Sequence, residues 1–207
     1  YLSLIPVRIT KPQITTYDSR GYFDYRGVTH VHSIASTGSG TYGDILTEAQ
    51  SADINFLILT DVNQPTRPAF AEGYFRDILV LAGGEYSYFD SRLLYYGGDL
   101  NKPPTGQSQI QVYFAELLSQ KLKSEEFVVL AHPFYSKYNW KSEYPVGLDG
   151  IEIFNLKSIF SARWVQSKLK TILGLLIYPF NSTMAYTYLI SYPDDELLLW
   201  EDRKSTR

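Results

Sequence analysis

Two of the chain's three histidines stand two positions apart, in His30-Val31-His32-Ser33. In an extended segment that spacing puts both imidazoles on one face, where they can converge on one cation. The third, His132, follows the apolar run Val128-Val129-Leu130-Ala131. All three fall at the ends of strand-like segments, which is where parallel α/β sheets and barrels carry their chemistry. A His-x-His pair is by itself a weak signal, since many are structural, but two acids strengthen the metal reading. Glu85 follows the apolar run Ile78 to Ala82, and Glu152 lies in Ile151-Glu152-Ile153-Phe154-Asn155. A buried carboxylate needs a partner, and histidine plus a divalent cation is the least costly one. Asp61, in Leu57-Ile58-Leu59-Thr60-Asp61-Val62-Asn63, is placed either to orient a histidine from behind or to cap a following helix.

The order of these pieces resembles the PHP superfamily, that of polymerase-associated and histidinol phosphatase domains. The matching segments are His30-x-His32-Ser33, Ser36-Thr37-Gly38, Thr60-Asp61-x-Asn63, Gly84-Glu85, Ala131-His132-Pro133 and Asp149-Gly150-Ile151-Glu152. They run in the family's order and span most of the chain from Thr29 to Asn155. The resemblance implies a distorted seven-stranded (β/α)7 TIM-like barrel, up to three divalent ions in its mouth, and hydrolysis of phosphate esters. It places His30, His32 and Glu85 at metal-ligand positions, with Glu85 where the family bridges two ions. His132 matches a further ligand, and Glu152 lies in the neighbourhood of another.

Three family features are missing. Thr37 stands where the family usually has Asp, Val62 stands where it usually has a ligand histidine, and no closing Asp-x-His precedes Arg207. In the family these positions serve largely the same ion. The resemblance therefore implies one or two ions of the Zn, Mn or Fe type rather than three. A single ion still acts as a Lewis acid and lowers the pKa of a bound water.

The elements that must position these residues begin with an N-terminal extended arm over residues 1–24, in which Pro6 and Pro12 argue against a central strand. The barrel domain is expected over residues 25–207. Helices are expected at Tyr42 to Ala49, Val112 to Lys123 and Phe160 to Leu176, with a strand at Asn55 to Thr60 and a loop at Asn101 to Gln109. The alternation gives the β, α, β rhythm of a parallel barrel. Tyr86, Tyr88, Tyr95, Tyr96, Tyr135 and Tyr138 could line a pocket mouth, although rim tyrosines are more often packing residues.

From Thr171 to Tyr192 there is no charged residue. A membrane span needs roughly 20 consecutive apolar residues, and Pro179-Phe180-Asn181-Ser182 interrupts the run. Buried barrel helices are expected there rather than a membrane-surface contact edged by Lys168 and Lys170. The segment Glu196 to Asp202 resembles the one just upstream of the family's final metal motif, so the barrel is expected to lack its C-terminal end.

Composition bounds the remaining choices. The chain has 207 residues, 44% hydrophobic and 15% aromatic, enough for one soluble domain with a substantial core. Its formal net charge is -3 with dispersed basic residues, which gives nucleic acid binding no electrostatic support. It has no cysteine, hence neither disulfides nor thiol ligands. Beginning at Tyr1 without a signal-like segment, it reads as a mature form or excised domain, cytoplasmic or exported after loss of an upstream piece. Three functions stay open: a metal-dependent phosphoesterase acting on a phosphorylated small molecule, a degenerate barrel kept as a binding or scaffold module, and a peripheral membrane or envelope protein. The first ranks highest, because four potential ligands survive.

Overall fold

The computed structural model describes residues 24–63, 72–99, 104–120, 126–141 and 143–205. The expected N-terminal arm therefore lies almost wholly outside the described residues. The fold is a distorted half-barrel: one sheet of seven strands, with helices interspersed.

The first half follows the expected parallel rhythm. Strand β1 (Gly27–Val31) leads into helix α1 (Tyr42–Ser51), then β2 (Phe56–Leu59), and β2 pairs parallel with both β1 and the long β4 (Ile78–Tyr88). A capping box starts α1, with Thr41 accepting from the Asp44 amide and Asp44 accepting from that of Thr41. Behind these strands Leu57, Leu59, Ile78, Val80 and Ala49 form one buried cluster, with Ile45 and Leu46 packed against it. The short β3 (Gly73–Phe75) pairs antiparallel on the edge of β4.

The second half departs from the expected parallel barrel. β4 turns directly into β5 (Ser91–Tyr96), which pairs antiparallel with β4 and with β6 (Phe127–Ala131). Phe89 makes that turn in the left-handed region, at φ 49. Parallel pairing resumes between β6 and the two-residue β7 (Gly150–Ile151). Helix α2 (Gln107–Ser119) runs in from what was expected to be loop and carries Ile110, Phe114 and Leu118. It packs on Tyr86, Tyr88, Leu93, Tyr95, Val128 and Leu130, the second buried cluster. Tyr86, Tyr88 and Tyr95 are thus core residues, not a pocket mouth. Because side chains alternate along a strand, the opposite face of β4, β5 and β6 presents Glu85, Ser87, Arg92 and Tyr96.

The C-terminal third is helical: α3 (Leu156–Gln166), α4 (Lys168–Ile177), α5 (Ser182–Leu189) and α6 (Asp194–Ser205). The single helix expected over 160–176 is broken at Ser167, whose backbone is extended (φ -158, ψ 92) and whose hydroxyl caps α4 at the Lys170 amide. The expectation that 171–192 is buried is not met. Thr171, Gly174, Ala185 and Leu189 pack inward, but Leu175, Leu176, Phe180 and Tyr192 are exposed. Apolar residues thus occupy the outer faces of both helices as well as the inner ones. No described helix is long and apolar enough to cross a membrane.

Candidate metal centre

The site is assembled where the two ends of the sheet come together. β1 carries one extra residue between Val28 and Val31 relative to β2, a bulge that re-aims its side chains. His30 and His32 leave this segment with their Nε2 atoms 3.1 Å apart. Glu85 comes from the middle of β4, not from a strand end as expected, because β4 continues three residues past it. Its Oε2 lies 3.2 Å from His32 Nε2 and 3.9 Å from His30 Nε2. The same carboxylate's Oε1 faces His132 Nε2 at 3.5 Å and Arg92 Nε at 3.9 Å.

Glu152, just past β7, reaches the group from the far edge. His30 Nδ1–H donates to its Oε1 at 2.7 Å, and the His132 amide donates to its Oε2 at 3.0 Å. Asn155, the N-cap of α3, donates to Glu152 Oε1 at 2.9 Å and accepts from the Ser158 amide. His132 itself sits at φ 51, a left-handed conformation that histidine adopts more readily than most residues. Its ring is held by Ser158 Oγ at 3.2 Å from Nδ1.

All five expected ligands thus meet in pairs and triples, with Glu152 standing directly behind His30. Among the described residues, two triads have donor atoms within 4.8 Å of one another: His30, His32 and Glu85, and His30, His132 and Glu152. These give capacity for one or two divalent ions, not three. The first fits an ion best. Ligands roughly 2.0–2.1 Å from a tetrahedral zinc-type ion stand about 3.3–3.4 Å apart, close to the distances among His30, His32 and Glu85. In the second triad the 2.7 Å contact is hydrogen-bond length, and the arrangement is a carboxylate–histidine pair in which Glu152 fixes the His30 tautomer and frees Nε2 for a cation.

The electrostatics follow from the same contacts. Burial opposes a charge on His30, but the carboxylates of Glu152 and Glu85 overcome it and push its pKa up to about 9. Burial would raise Glu85, yet His132, His30 and His32 hold it well below the usual carboxylate range. Glu152 is likewise held low, chiefly by His30 against the effect of burial. Side-chain exposure rises from 4% at Glu85 to 18% at His32 and Arg92, so the group opens to solvent on that side.

The positions where the family pattern fails have local roles. Thr37 Oγ1 hydrogen-bonds His32 Nδ1, which aims His32 Nε2 at Glu85. Gly38 is required beside it, because a Cβ there would overlap the His32 carbonyl. Val62 offers no donor and continues the pairing with β4 opposite Glu85. Asp61 belongs to neither triad. It is buried, and its carboxylate accepts from the Ser33 amide (2.7 Å), Ser33 Oγ (2.8 Å), Ser36 Oγ (2.6 Å) and Tyr42 Oη (3.0 Å). Burial raises its pKa, but Ser36, Ser33 and Tyr42 together lower it.

Arg92, Tyr135, Tyr138, Asn155 and Ser158 also stand at the site. Asn155 was within reach of sequence reasoning, three residues after Glu152, whereas Arg92 lies on a strand whose antiparallel pairing no local signal announced. No protein-family model matches this chain, and no curated protein matches it. What the structure holds is a distorted, partly closed α/β barrel with, among the described residues, two His/Glu clusters whose geometry could hold a metal ion, consistent with a PHP-like fold at most.

Proposed function

We propose that the chain is a metal-dependent phosphoesterase that hydrolyses a phosphate ester with one divalent ion held by His30, His32 and Glu85. The observation that supports this reading most is the approach of three donor atoms, two imidazole Nε2 and one carboxylate oxygen, to separations of 3.1, 3.2 and 3.9 Å on a solvent-open face. An ion there supplies Lewis acidity to a phosphoryl oxygen and acidifies water. The protein's own part is to hold that geometry: Glu152 orients His30, Thr37 orients His32, and Asp61 fixes the loop from Ser33 to Tyr42 on which Thr37 sits. His132 keeps Glu85 charged from the other side.

The second reading, a barrel that keeps its surface and has lost turnover, is favoured by Val62, which leaves Glu85 without the additional ligand the resemblance implies. The two are separated by metal analysis coupled to a substrate screen. Purified protein should carry or take up about one equivalent of Zn, Mn or Fe, lost in His32→Ala, and should release phosphate from a monoester such as p-nitrophenyl phosphate. Stoichiometric metal without turnover on any phosphoester would establish the second reading. Absence of metal after incubation with each ion would remove the first.

A further inference from the structure

Beside the His/Glu group, three cations from three different elements gather around one aromatic ring. Arg92 on β5 places its guanidinium carbon 4.6 Å from the centre of the Tyr138 ring. Lys137, in the segment after β6, has its ammonium 5.2 Å from the same ring. Lys157, in the first turn of α3, is 5.9 Å from it and 5.5 Å from the neighbouring Tyr135 ring. Both rings stand 5.9 Å from the His132 imidazole, so this cationic group borders the metal centre directly.

Like charges brought together repel, and a bound anion relieves the repulsion more fully than solvent screening does. Arg92 has part of one in Glu85 Oε1 at 3.9 Å, but that carboxylate is already shared with the histidines. Among the described residues, Lys137 and Lys157 make no ion pair, whereas the nearby Lys141 is paired with Asp90 at 3.5 Å. The tyrosine faces steady the ammonium groups by cation–π attraction without neutralising them. Three unmatched or half-matched cations beside the site form a patch of positive charge in a chain whose net charge is -3.

We infer that Arg92, Lys137 and Lys157, with Tyr138 as the floor, form an anion subsite that binds the dianionic phosphoryl group of a phosphate monoester and presents it to His30, His32 and Glu85. The inference rests on the phosphoesterase reading and names its substrate class, monoesters over singly charged diesters. Arg92, whose Nη1 also donates to Ser87 Oγ and whose Nε faces Glu85, contributes its remaining guanidinium N–H groups, and the lysines act as point charges around the anion.

The test uses the full chain freed of metal, so that phosphate cannot bind through an ion. Inorganic phosphate at mildly alkaline pH, and dimethyl phosphate as a monoanionic control, are titrated by phosphorus NMR against wild type, Lys137→Ala/Lys157→Ala and Lys141→Ala. Circular dichroism checks the fold of each, and metal uptake is measured separately by mass spectrometry. Phosphate should bind wild type and Lys141→Ala alike, and at least about tenfold more weakly to the double variant, since a charge-assisted hydrogen bond is worth a factor of that order. No phosphate binding by wild type, or equal binding by the double variant, overturns the subsite. Equal affinity for dimethyl phosphate overturns the monoester assignment. Lysine-dependent phosphate binding in a chain that takes up no metal would leave the subsite standing and remove the phosphoesterase reading alone.

Discussion

His30 Nδ1 donates to Glu152 Oε1 across 2.7 Å, and this bond joins the first strand of the sheet to the end of the last. Among the described residues β1 and β7 are not paired with each other by backbone, so this side-chain pair is what joins them, and it leaves His30 Nε2 facing His32 and Glu85. Replacing Glu152 by Gln should keep the shape but weaken the orientation of His30. Zinc affinity, measured by competition with a chromophoric chelator, should fall about 10–100-fold, as it does for partners standing behind metal ligands. An unchanged affinity would mean that Glu152 does not act through His30.

The ion pairs at the site also give the metal-free protein a two-sided pH dependence. His30 has a folded-state pKa of about 9 against an ordinary value of 6.5, so its contribution to stability is full below about 6.5 and is lost as pH rises through about 9. Glu85 and Asp61 are depressed below 4.5 and 3.8, so theirs is present above those values and lost as pH falls beneath them. Urea midpoints recorded across this range should peak at mildly acid pH and decline on both sides. A midpoint that stays level between pH 6.5 and 9 would contradict the assignment of His30.

How much of this was legible in the sequence depended on whether the information was local. His30, His32, Glu85, His132 and Glu152 were readable because each sits at or near the end of an apolar run, where strand periodicity fixes which way a side chain faces. β5 was not, because Ser91 to Tyr96 has the composition of either a strand or a loop rim, and its direction is set by the turn at Phe89 and by burial of Tyr95 on α2. The break at Ser167 was hidden for a related reason. A serine inside an apolar helical pattern becomes a cap only when the following helix packs elsewhere, as α4 does against α5. The outward apolar face of α4 and α5 is the plainest case in which an uncharged run did not mean core.

Asp61 is read from the sequence as either standing behind a histidine or capping a following helix, and its four hydrogen bonds run to Ser33, Ser36 and Tyr42. An amide in its place would present donors where the site already has them. Asp61→Asn should therefore cost roughly 2 kcal/mol or more in urea unfolding, the penalty of leaving buried donors unsatisfied. Zinc stoichiometry in the folded variant should remain that of wild type. Loss of metal at undiminished stability would instead tie Asp61 to the ligand set.

Gly174 tests the packing of the C-terminal helices. A Cβ there would lie 2.7 Å from Cγ and Cδ2 of Leu189 and 3.1 Å from Cβ of Tyr188, so α4 and α5 approach closely only because this residue is glycine. Alanine gains about 1 kcal/mol of helix propensity, while overpacking costs about 1–3 kcal/mol. The second effect should win, because Leu189 is buried and has little room to retreat. Gly174→Ala should lower the unfolding midpoint without altering metal uptake, and a stabilised variant would show that the two helices separate easily.

Thr37 offers the most direct test of whether the site still works as a ligand shell. Its hydroxyl bonds His32 Nδ1, the nitrogen turned away from Glu85, and so holds the ring that supplies the second donor. Thr37→Val keeps the shape and removes the bond, and zinc affinity should drop about tenfold or more, the usual penalty for losing a group that orients a ligand histidine. Thr37→Asp should act in the opposite direction. A carboxylate at that nitrogen makes His32 a more basic ligand, in the way Glu152 serves His30, and affinity should rise above that of wild type. If both variants bind zinc as wild type does, the hydrogen bond is incidental and His32 is oriented by its backbone alone.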